Sequence, residues 1–321
     1  MKNNMRVKQA TIFGASGKLG QALTQRFLDC GLSVRAVVHR TPLPIKHRKL
    51  STVRADVTDR VKVKKAVAGS ESVICLATTK EDPETFFDVS IRGTFNILDE
   101  CRACRTIKQV ILAGGDAAVG IWFYPHPKPI SESHPLMAYP GYYAFSKVIE
   151  EVMANQFHIQ YGLPITILRM SWIFTGKDIL NHLSLRNLNP AEKGHGWDAY
   201  LTAEHKKIIA RGENRIPILI DRNRRPYTRH IVHIEDVVQA FELALGNKKA
   251  VGETYNISGK KAFRYDQAAA YLSKKLGIPA TKIQAKEYYP FAIDIRKARR
   301  ELGYRPKYDI FGIIDAALAG D

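Results

Sequence analysis

The stretch Gln9-Ala10-Thr11-Ile12-Phe13-Gly14-Ala15-Ser16-Gly17-Lys18-Leu19-Gly20 decides the fold of this chain. Its first five residues are mostly apolar and predict a buried strand, and three glycines follow at three-residue spacing. The first glycine permits a tight turn, the second lets the backbone approach a pyrophosphate, and the third lets the next helix pack on the sheet. That helix is predicted from Leu19 to Cys30, ending at Gly31. The stretch therefore predicts a dinucleotide site whose phosphates face the amino end of a helix.

Short apolar segments continue this alternation of strands and helices. Strands are predicted near residues 9–13, 33–38, 51–54, 72–76, 108–113 and 165–169. They indicate an α/β protein with a doubly wound parallel (Rossmann) sheet, which would hold a cofactor along the carboxyl ends of its strands. From about 170 to 231 the periodicity fades, and from about 259 helical segments dominate. We expect a dinucleotide-binding domain at 1–169 that also receives about 232–258, and a smaller, mainly C-terminal substrate lobe at 170–231 and 259–321.

Tyr143 and Lys147 form the second informative motif, because residues four apart share one face of a helix. A free tyrosine has a pKa of about 10, and a neighbouring cation favours the phenolate. The phenol could then exchange a proton with a substrate oxygen near neutral pH. Taken alone, the motif is equally compatible with an exposed helix whose tyrosine packs on a lysine stem.

The order and spacing of these motifs resemble the extended short-chain dehydrogenase/reductase superfamily, in its NAD(P)-dependent epimerase/dehydratase branch. Further matching segments cover nearly the whole chain: Ala55-Asp56-Val57, Ala77-Thr78, 93–98, 131–136, Ser146-Lys147 with Glu151, 233–237, 252–257 and 294–306. The resemblance implies that Tyr143 is the acid/base and that Lys147 lowers its pKa and holds the nicotinamide ribose. The cofactor site that it implies comprises Gly14, Ser16, Gly17, Lys18, Leu19, Gly20, His39, Arg40, Asp56, Val57, Ala77, Thr78, Asn96, Tyr143, Lys147 and Met170.

The end of the second predicted strand favours NADP over NAD. An NAD site usually places Asp or Glu here, where a carboxylate accepts from the ribose hydroxyls and would repel a 2′-phosphate. This chain has His39 and Arg40 instead, and the Arg40 guanidinium is a planar fork for that phosphate. Lys18 and Arg35 are predicted helpers. The alternative is that Arg40 only begins the basic loop that follows.

Two departures from the family pattern bear on the chemistry. The family ends its fifth strand with a Ser-Ser/Thr segment, but no serine or threonine occurs here between Ile107 and Ile130, and Asp116 is nearest in position. A protonated Asp116 could donate the missing hydrogen bond, an ionised one would raise the pKa of Tyr143, and one turned away would cap the loop. In addition, Ala117 and Ala118 stand where the family's dehydratases carry an Asp-Glu pair, which disfavours dehydration.

Trp172 and Arg229 are the predicted substrate-binding residues. Trp172 stands three positions after Arg169, where nucleotide-sugar epimerases commonly have an asparagine. It is either a residue that packs near the nicotinamide or a substrate ring, or a core tryptophan under the lobe. Arg229 aligns with a family arginine that often meets a nucleotide diphosphate, which suits the guanidinium fork.

The composition of the chain limits the classes of molecule that it is expected to bind. The net charge of +18 favours anionic partners such as NADP or a phosphorylated substrate, whereas nucleic acid is disfavoured because no nucleic-acid motif accompanies the charge. Of four cysteines, Cys101 and Cys104 have metal-type spacing but lack a second pair, so we predict no metal and a reducing compartment. Residues 1–8 carry no apolar signal core, and no apolar run approaches about 18 residues, so a cytoplasmic protein outside the membrane is expected.

The sequence thus predicts an NADP-dependent oxidoreductase or epimerase that moves a hydride between nicotinamide and a secondary alcohol or ketone. Its substrate would be a small molecule that could be anionic, and could be a sugar or nucleotide sugar. The rival is a non-catalytic NAD(P)-binding sensor or regulatory protein on the same fold, which the missing Ser/Thr supports and Tyr143 with Lys147 opposes. Members of the resembling family commonly pair through helices, which makes a homodimer one expectation.

Overall fold

The computed structural model describes residues 5–188, 197–285 and 288–320. Thirteen strands occur in the described residues: β1 (Gln9–Phe13), β2 (Ser33–Val38), β3 (Leu50–Arg54), β4 (Ser72–Cys75), β5 (Gln109–Gly115), β6 (Ile165–Met170), β7 (Trp172–Phe174), β8 (Ile216–Ile220), β9 (Thr228–Arg229), β10 (Ile231–His233), β11 (Thr254–Ile257), β12 (Phe263–Arg264) and β13 (Ala280–Gln284). The six predicted strands are confirmed as β1 to β6.

These six strands and β11 form one parallel sheet in the order β3-β2-β1-β4-β5-β6-β11. All residues of β4, β5 and β6 are buried, which explains why the central strands read as continuous apolar runs. The strand order reverses between β1 and β4, so a crevice opens at their carboxyl ends. The predicted doubly wound sheet is confirmed.

Helices cover both faces of this sheet and build the lobe. They are α1 (Lys18–Asp29), α2 (Arg60–Val67), α3 (Gly93–Ala103), α4 (Tyr142–Tyr161), α5 (Gly176–His182), α6 (Ala203–Ala210), α7 (Ile234–Ala244), α8 (Tyr265–Leu276), α9 (Arg296–Glu301) and α10 (Ile310–Ala319). A π-helical segment, Phe86–Arg92, runs directly into α3. No helix of the described ranges is long and apolar enough to cross a membrane.

The remaining strands pair in three small sheets, β7 with β10, β9 with β12 and β8 with β13. One apolar core continues from a face of the large sheet into these sheets and α8 and α10, while the other face has a separate core with α2 and α3. We propose that 1–169 with 232–258 form the dinucleotide-binding domain, and 170–231 with 259–321 the substrate lobe. A buried ion pair between Arg169 and Glu151, 2.5 Å apart, fixes the end of β6 to α4 beneath the crevice.

Candidate functional site

Two positions of the glycine turn between β1 and α1 require glycine. Gly14 has φ +82°, in the left-handed region, and a side chain there would meet Leu76 and Ala77 after β4. A Cβ on Gly20 would lie 2.2 Å from the carbonyl oxygen of Gly14. Gly17 precedes α1 without a side-chain cap, so the first N–H groups of a 12-residue helix have no side-chain acceptor. This cradle fits the pyrophosphate of a dinucleotide.

Polar side chains around the turn are engaged within the protein. The Ser16 hydroxyl donates to the carbonyl oxygen of Thr41 over 2.6 Å. Lys18 Nζ lies 2.5 Å from Asp178 Oδ2 of α5, and both side chains are partly exposed. Lys18 thus joins the turn to the lobe, although it was predicted to help hold a phosphate. Leu19, the remaining predicted residue of the turn, packs against the core.

The end of β2 presents one free guanidinium. Arg40 is exposed and makes no hydrogen bond or ion pair with any described residue. His39 Nε2 lies 3.2 Å from Asp56 Oδ2. Burial raises the pKa of Asp56, but hydrogen bonds from the Thr58 N–H and hydroxyl and the charges of His39 and Arg40 outweigh it and lower the pKa. Asp56 is thereby held in a local turn beside Arg40.

The prediction that Arg35 assists Arg40 is wrong. Arg35 is the third residue of β2, and its guanidinium donates to the carbonyl oxygens of Ala66 and Ala68, each over 2.7 Å. These carbonyls terminate α2, just before β4 begins, so they lie at the amino edge of the sheet. The glycine turn lies at the opposite edge. Arg35 instead satisfies the free carbonyls of a helix end.

The other predicted cofactor residues come from α3, from the segment after β4 and from the end of β6. Asn96, buried on α3, donates to the carbonyl oxygen of Val57 over 2.9 Å and so fixes the loop after β3. The Thr78 hydroxyl, after β4, lies 3.2 Å from that of Ser90 in the π-helical segment. Met170 is the buried last residue of β6.

Tyr143 and Lys147 lie on the same face of α4 against the carboxyl end of β5. A Cβ on Gly115 would lie 3.4 Å from Tyr143 Oη, an ordinary van der Waals contact, so the phenol lies directly beside the last residue of β5. Lys147 Nζ lies 5.6 Å from the centre of the Tyr143 ring. It donates to the carbonyl oxygen of Ala113 over 3.2 Å and to Glu150 Oε2 over 2.8 Å. The structure therefore brings the predicted pair together at the predicted edge of the sheet.

The expected lowering of the Tyr143 pKa is not found. Burial, together with the negative charges of Asp116, Glu150 and Glu81, raises the pKa of Tyr143 above its usual value of 10. The sequence argument considered Lys147 and an ionised Asp116, but not Glu81 or Glu150, which offsets the charge of Lys147. The phenol of Tyr143 therefore stays protonated at neutral pH.

Asp116 begins a short 3-10 turn directly after β5 and is buried, with 8% of its surface exposed. Burial raises its pKa to about 7, although the charges of Arg229 and Arg169 and nearby backbone N–H groups oppose the rise. Its Oδ2 is buried without a hydrogen-bond partner among the described residues. Near neutral pH the carboxyl group is about half protonated, so it can present an O–H group beside Tyr143.

Arg229 is buried between two tryptophans. Its guanidinium carbon lies 3.3 Å from the ring centre of Trp172 and 4.6 Å from that of Trp122. Nη1 of Arg229 lies 3.5 Å from the hydroxyl oxygen of Tyr265, and this oxygen also lies 2.7 Å from Nε2 of His182. Arg229 Nε has no hydrogen-bond partner, and Arg229 has no ion pair, within the described part of the chain.

Trp172 is 46% exposed and is therefore not a core tryptophan under the lobe. Its ring centre lies 3.3 Å from the guanidinium carbon of Arg229, and that of Trp122 lies 4.6 Å from it, so both indoles pack against the guanidinium. The N–H edge of a guanidinium suits the two oxygens of a carboxylate or phosphate.

Sequence reasoning missed Glu150, Trp122, Tyr265 and His182. Glu150 had a signal, because it follows Lys147 by three residues and so shares its helix face. Trp122 and Tyr265 come from segments far from Arg229 in the chain, and no local pattern indicates their contact. Burial lowers the pKa of His182 to about 3, so it is neutral where it meets Tyr265.

Comparison with known proteins identifies the family. The model of the NAD dependent epimerase/dehydratase family matches residues 10–258, which include the glycine turn, Tyr143 and β11. The chain belongs to this family. It is thus an NAD(P)-dependent oxidoreductase or epimerase.

Several described proteins resemble the chain over most of its length. It is 25% identical to a putative UDP-glucose 4-epimerase from Methanocaldococcus jannaschii, over 82% of this chain and 81% of that protein. It is 25% identical to a 2-alkyl-3-oxoalkanoate reductase from Shewanella oneidensis, over 90% and 71%. An NAD-bound short-chain dehydrogenase/reductase superfamily protein from Agrobacterium tumefaciens shares its fold, with a TM-score of 0.85, 20% identity, and coverage of 97% and 96%.

Proposed function

We propose that this family member reduces a ketone to a secondary alcohol, with NADPH as the hydride donor and Tyr143 as the proton donor. The observation that carries the proposal is the position of Tyr143 at the end of β5, where burial, and then the charges of Asp116, Glu150 and Glu81, raise the Tyr143 pKa. A phenol that keeps its proton can give it to a developing alkoxide. Oxidation of an alcohol, with which epimerisation begins, needs the phenolate instead, so these surroundings favour reduction.

Each of these residues has a separate role in the proposed reduction. The bound dinucleotide supplies the hydride, and the turn from Gly14 to Gly20 would hold its pyrophosphate. Tyr143 donates its proton to the substrate oxygen. Asp116, while protonated, donates a hydrogen bond to the same oxygen in place of the family's serine or threonine. Because the Asp116 pKa is about 7, this contribution declines as the pH rises above neutrality.

Two features support NADPH over NADH. Arg40 at the end of β2 is exposed and uncommitted, whereas the nearest carboxylate, Asp56, is held by Thr58 and His39. A guanidinium at this position would contact a 2′-phosphate in a bidentate way.

Arg229, which is buried and has no ion pair among the described residues, supports an anionic substrate. Its N–H edge would contact a carboxylate or phosphate of the ketone, and the indole of Trp172 would cover the bound group. The names of the two curated relatives agree with this class, since a nucleotide sugar and an oxoalkanoate both carry negative charge. We propose such an anionic ketone as the substrate.

The proposal is tested by following NADPH oxidation with a panel of 2-alkyl-3-oxoalkanoates and 4-keto derivatives of UDP-sugars. Tyr143→Phe should abolish turnover and leave NADPH affinity nearly unchanged, because only the transferable proton is lost. Tyr142→Phe is the matched control, since the neighbouring tyrosine is exposed. Retention of most of the rate in Tyr143→Phe would assign the proton to another group. NADPH binding with no turnover on any member of the panel would favour the sensor.

We also propose a homodimer in a reducing, cytoplasmic compartment. Phe145, Val152 and Ile159 are exposed on α4 at seven-residue spacing, which forms an apolar stripe able to pack against a second copy. All four cysteines are free thiols, which supports the compartment.

A further inference from the structure

A buried glutamate lies directly behind the Tyr143 and Lys147 pair. Glu150 and Lys147 expose only 2% and 5% of their side chains, and Glu150 Oε2 lies 2.8 Å from Lys147 Nζ. The other carboxylate oxygen, Oε1, is buried without a hydrogen-bond partner among the described residues. The next residue, Glu151, points to a different partner, Arg169. Two consecutive buried glutamates thus form ion pairs with two different cationic side chains.

The contacts of Lys147 limit what its ammonium group can do. The group has three N–H donors, of which one reaches Ala113 and a second reaches Glu150. Both contacts lie inside the interface between α4 and β5, so one donor is left for the Tyr143 side of the site. The Glu150 charge also offsets the field of Lys147 where water is excluded and Coulomb interactions are strong.

We propose that Glu150 is a positioning residue: it holds the Lys147 ammonium inside the interface between α4 and β5 and offsets its charge, so that Tyr143 keeps its proton until a substrate oxygen takes it. This inference rests on the proposed function, in which Tyr143 is the proton donor. It assigns to this chain a site tuned for proton donation, since a lysine without this partner would favour the phenolate.

The charged and titratable groups around Tyr143 come from each neighbouring element. Asp116 follows β5, Glu81 follows β4, and Tyr139 precedes α4; Cys75, on β4, couples to both Glu150 and Lys147. Asp116 and Glu81 act in the same direction as Glu150, but neither contacts Lys147. Glu150 is therefore the group through which the lysine itself is controlled.

The direct test is the ionisation of Tyr143, measured as the tyrosinate difference spectrum between each protein and its Tyr143→Phe counterpart after a rapid pH jump. Glu150→Gln keeps the shape and removes the charge, so the Tyr143 midpoint should fall by about one pH unit or more. Glu151→Gln, the matched control, removes an equally buried carboxylate and should leave the midpoint in place. Coincident midpoints for Glu150→Gln and wild type, or equal shifts in both variants, would overturn the proposal.

A second variant covers the case in which Glu150→Gln does not fold, because breaking a buried pair leaves Lys147 uncompensated. Lys147→Met with Glu150→Met removes the pair as a unit. If the two charges offset each other, the Tyr143 midpoint in this double variant should match wild type, whereas Lys147→Met alone should raise it. A rise of the same size in both would refute the offset. None of these measurements needs a substrate, so they can fail while Tyr143→Phe still abolishes turnover, and the reverse also holds.

Discussion

Replacing Asp116 with asparagine should make the protein more stable at alkaline pH and leave it nearly unchanged at acidic pH. Asp116 is buried, and burial raises its pKa from 3.8 to about 7. The folded protein therefore binds this proton more tightly than the unfolded chain does. Asparagine has the same shape and no charge to bury, so it removes the penalty of ionising the group.

The size of the effect follows from the two pKa values. Below pH 3.8 both states carry the proton, and Asp116 adds no pH dependence. Between pH 3.8 and about 7 the unfolded chain releases the proton while the folded protein holds it, so the wild type loses up to 1.36 kcal/mol of stability per pH unit. Over about three units the loss reaches about 4 kcal/mol, and above pH 7 it stays constant.

Urea unfolding of wild type and Asp116→Asn from pH 4 to pH 8.5 measures this difference. The free energy of unfolding of the variant relative to wild type should increase by about 4 kcal/mol across the series, with about half reached near pH 5.5. Asp294→Asn is the control without this trend, because hydrogen bonds from Arg296 lower the Asp294 pKa below 3.8, and its difference from wild type should therefore stay nearly constant above about pH 4. If the Asp116→Asn difference is the same at every pH, the carboxyl group is not held protonated, and its assigned role as a neutral donor is wrong.

Two further predictions concern the cofactor and the assembly. Arg40→Asp should reduce the preference for NADPH over NADH by about 1–3 kcal/mol, because a charge-assisted contact to the 2′-phosphate is lost; the two dissociation constants report this, and equal affinities in the unaltered protein would remove the argument. Val152→Glu with Ile159→Glu should halve the mass measured by light scattering, whereas the same mass in variant and wild type would show that the α4 stripe is not the dimer contact.

The central sheet was predictable because its middle strands, β4, β5 and β6, are buried on both faces and its turn needs glycine. Both constraints are local, so they are visible as an apolar run and as the spacing of Gly14, Gly17 and Gly20. The position of Tyr143 and Lys147 followed from helix periodicity alone.

The electrostatics of the site could not be predicted in the same way. The Tyr143 pKa depends on Asp116, Glu81 and Glu150, which reach it from three different elements. The contact between Trp122 and Arg229 joins residues more than one hundred positions apart, and Trp122 occupies a backbone with φ +70° that no motif indicates. Arg35 was predicted at the wrong edge of the sheet because its position in β2 does not show in which direction its long side chain extends. That direction is set by the end of α2, whose carbonyl groups bind the guanidinium.

The ion pair between Lys18 and Asp178 makes the glycine turn and the lobe compete for the same lysine. It connects the first residue of α1 to α5 of the lobe through side chains that solvent reaches, and such exposed pairs contribute only about 0–1 kcal/mol. A phosphate that recruits Lys18 must take it from Asp178. Linkage is reciprocal: if an anion at the turn binds Lys18 in place of Asp178, it weakens the contact between α1 and α5 by the same free energy with which that contact weakens the binding of the anion. Salt screens exposed charges, so this competition should depend on salt concentration.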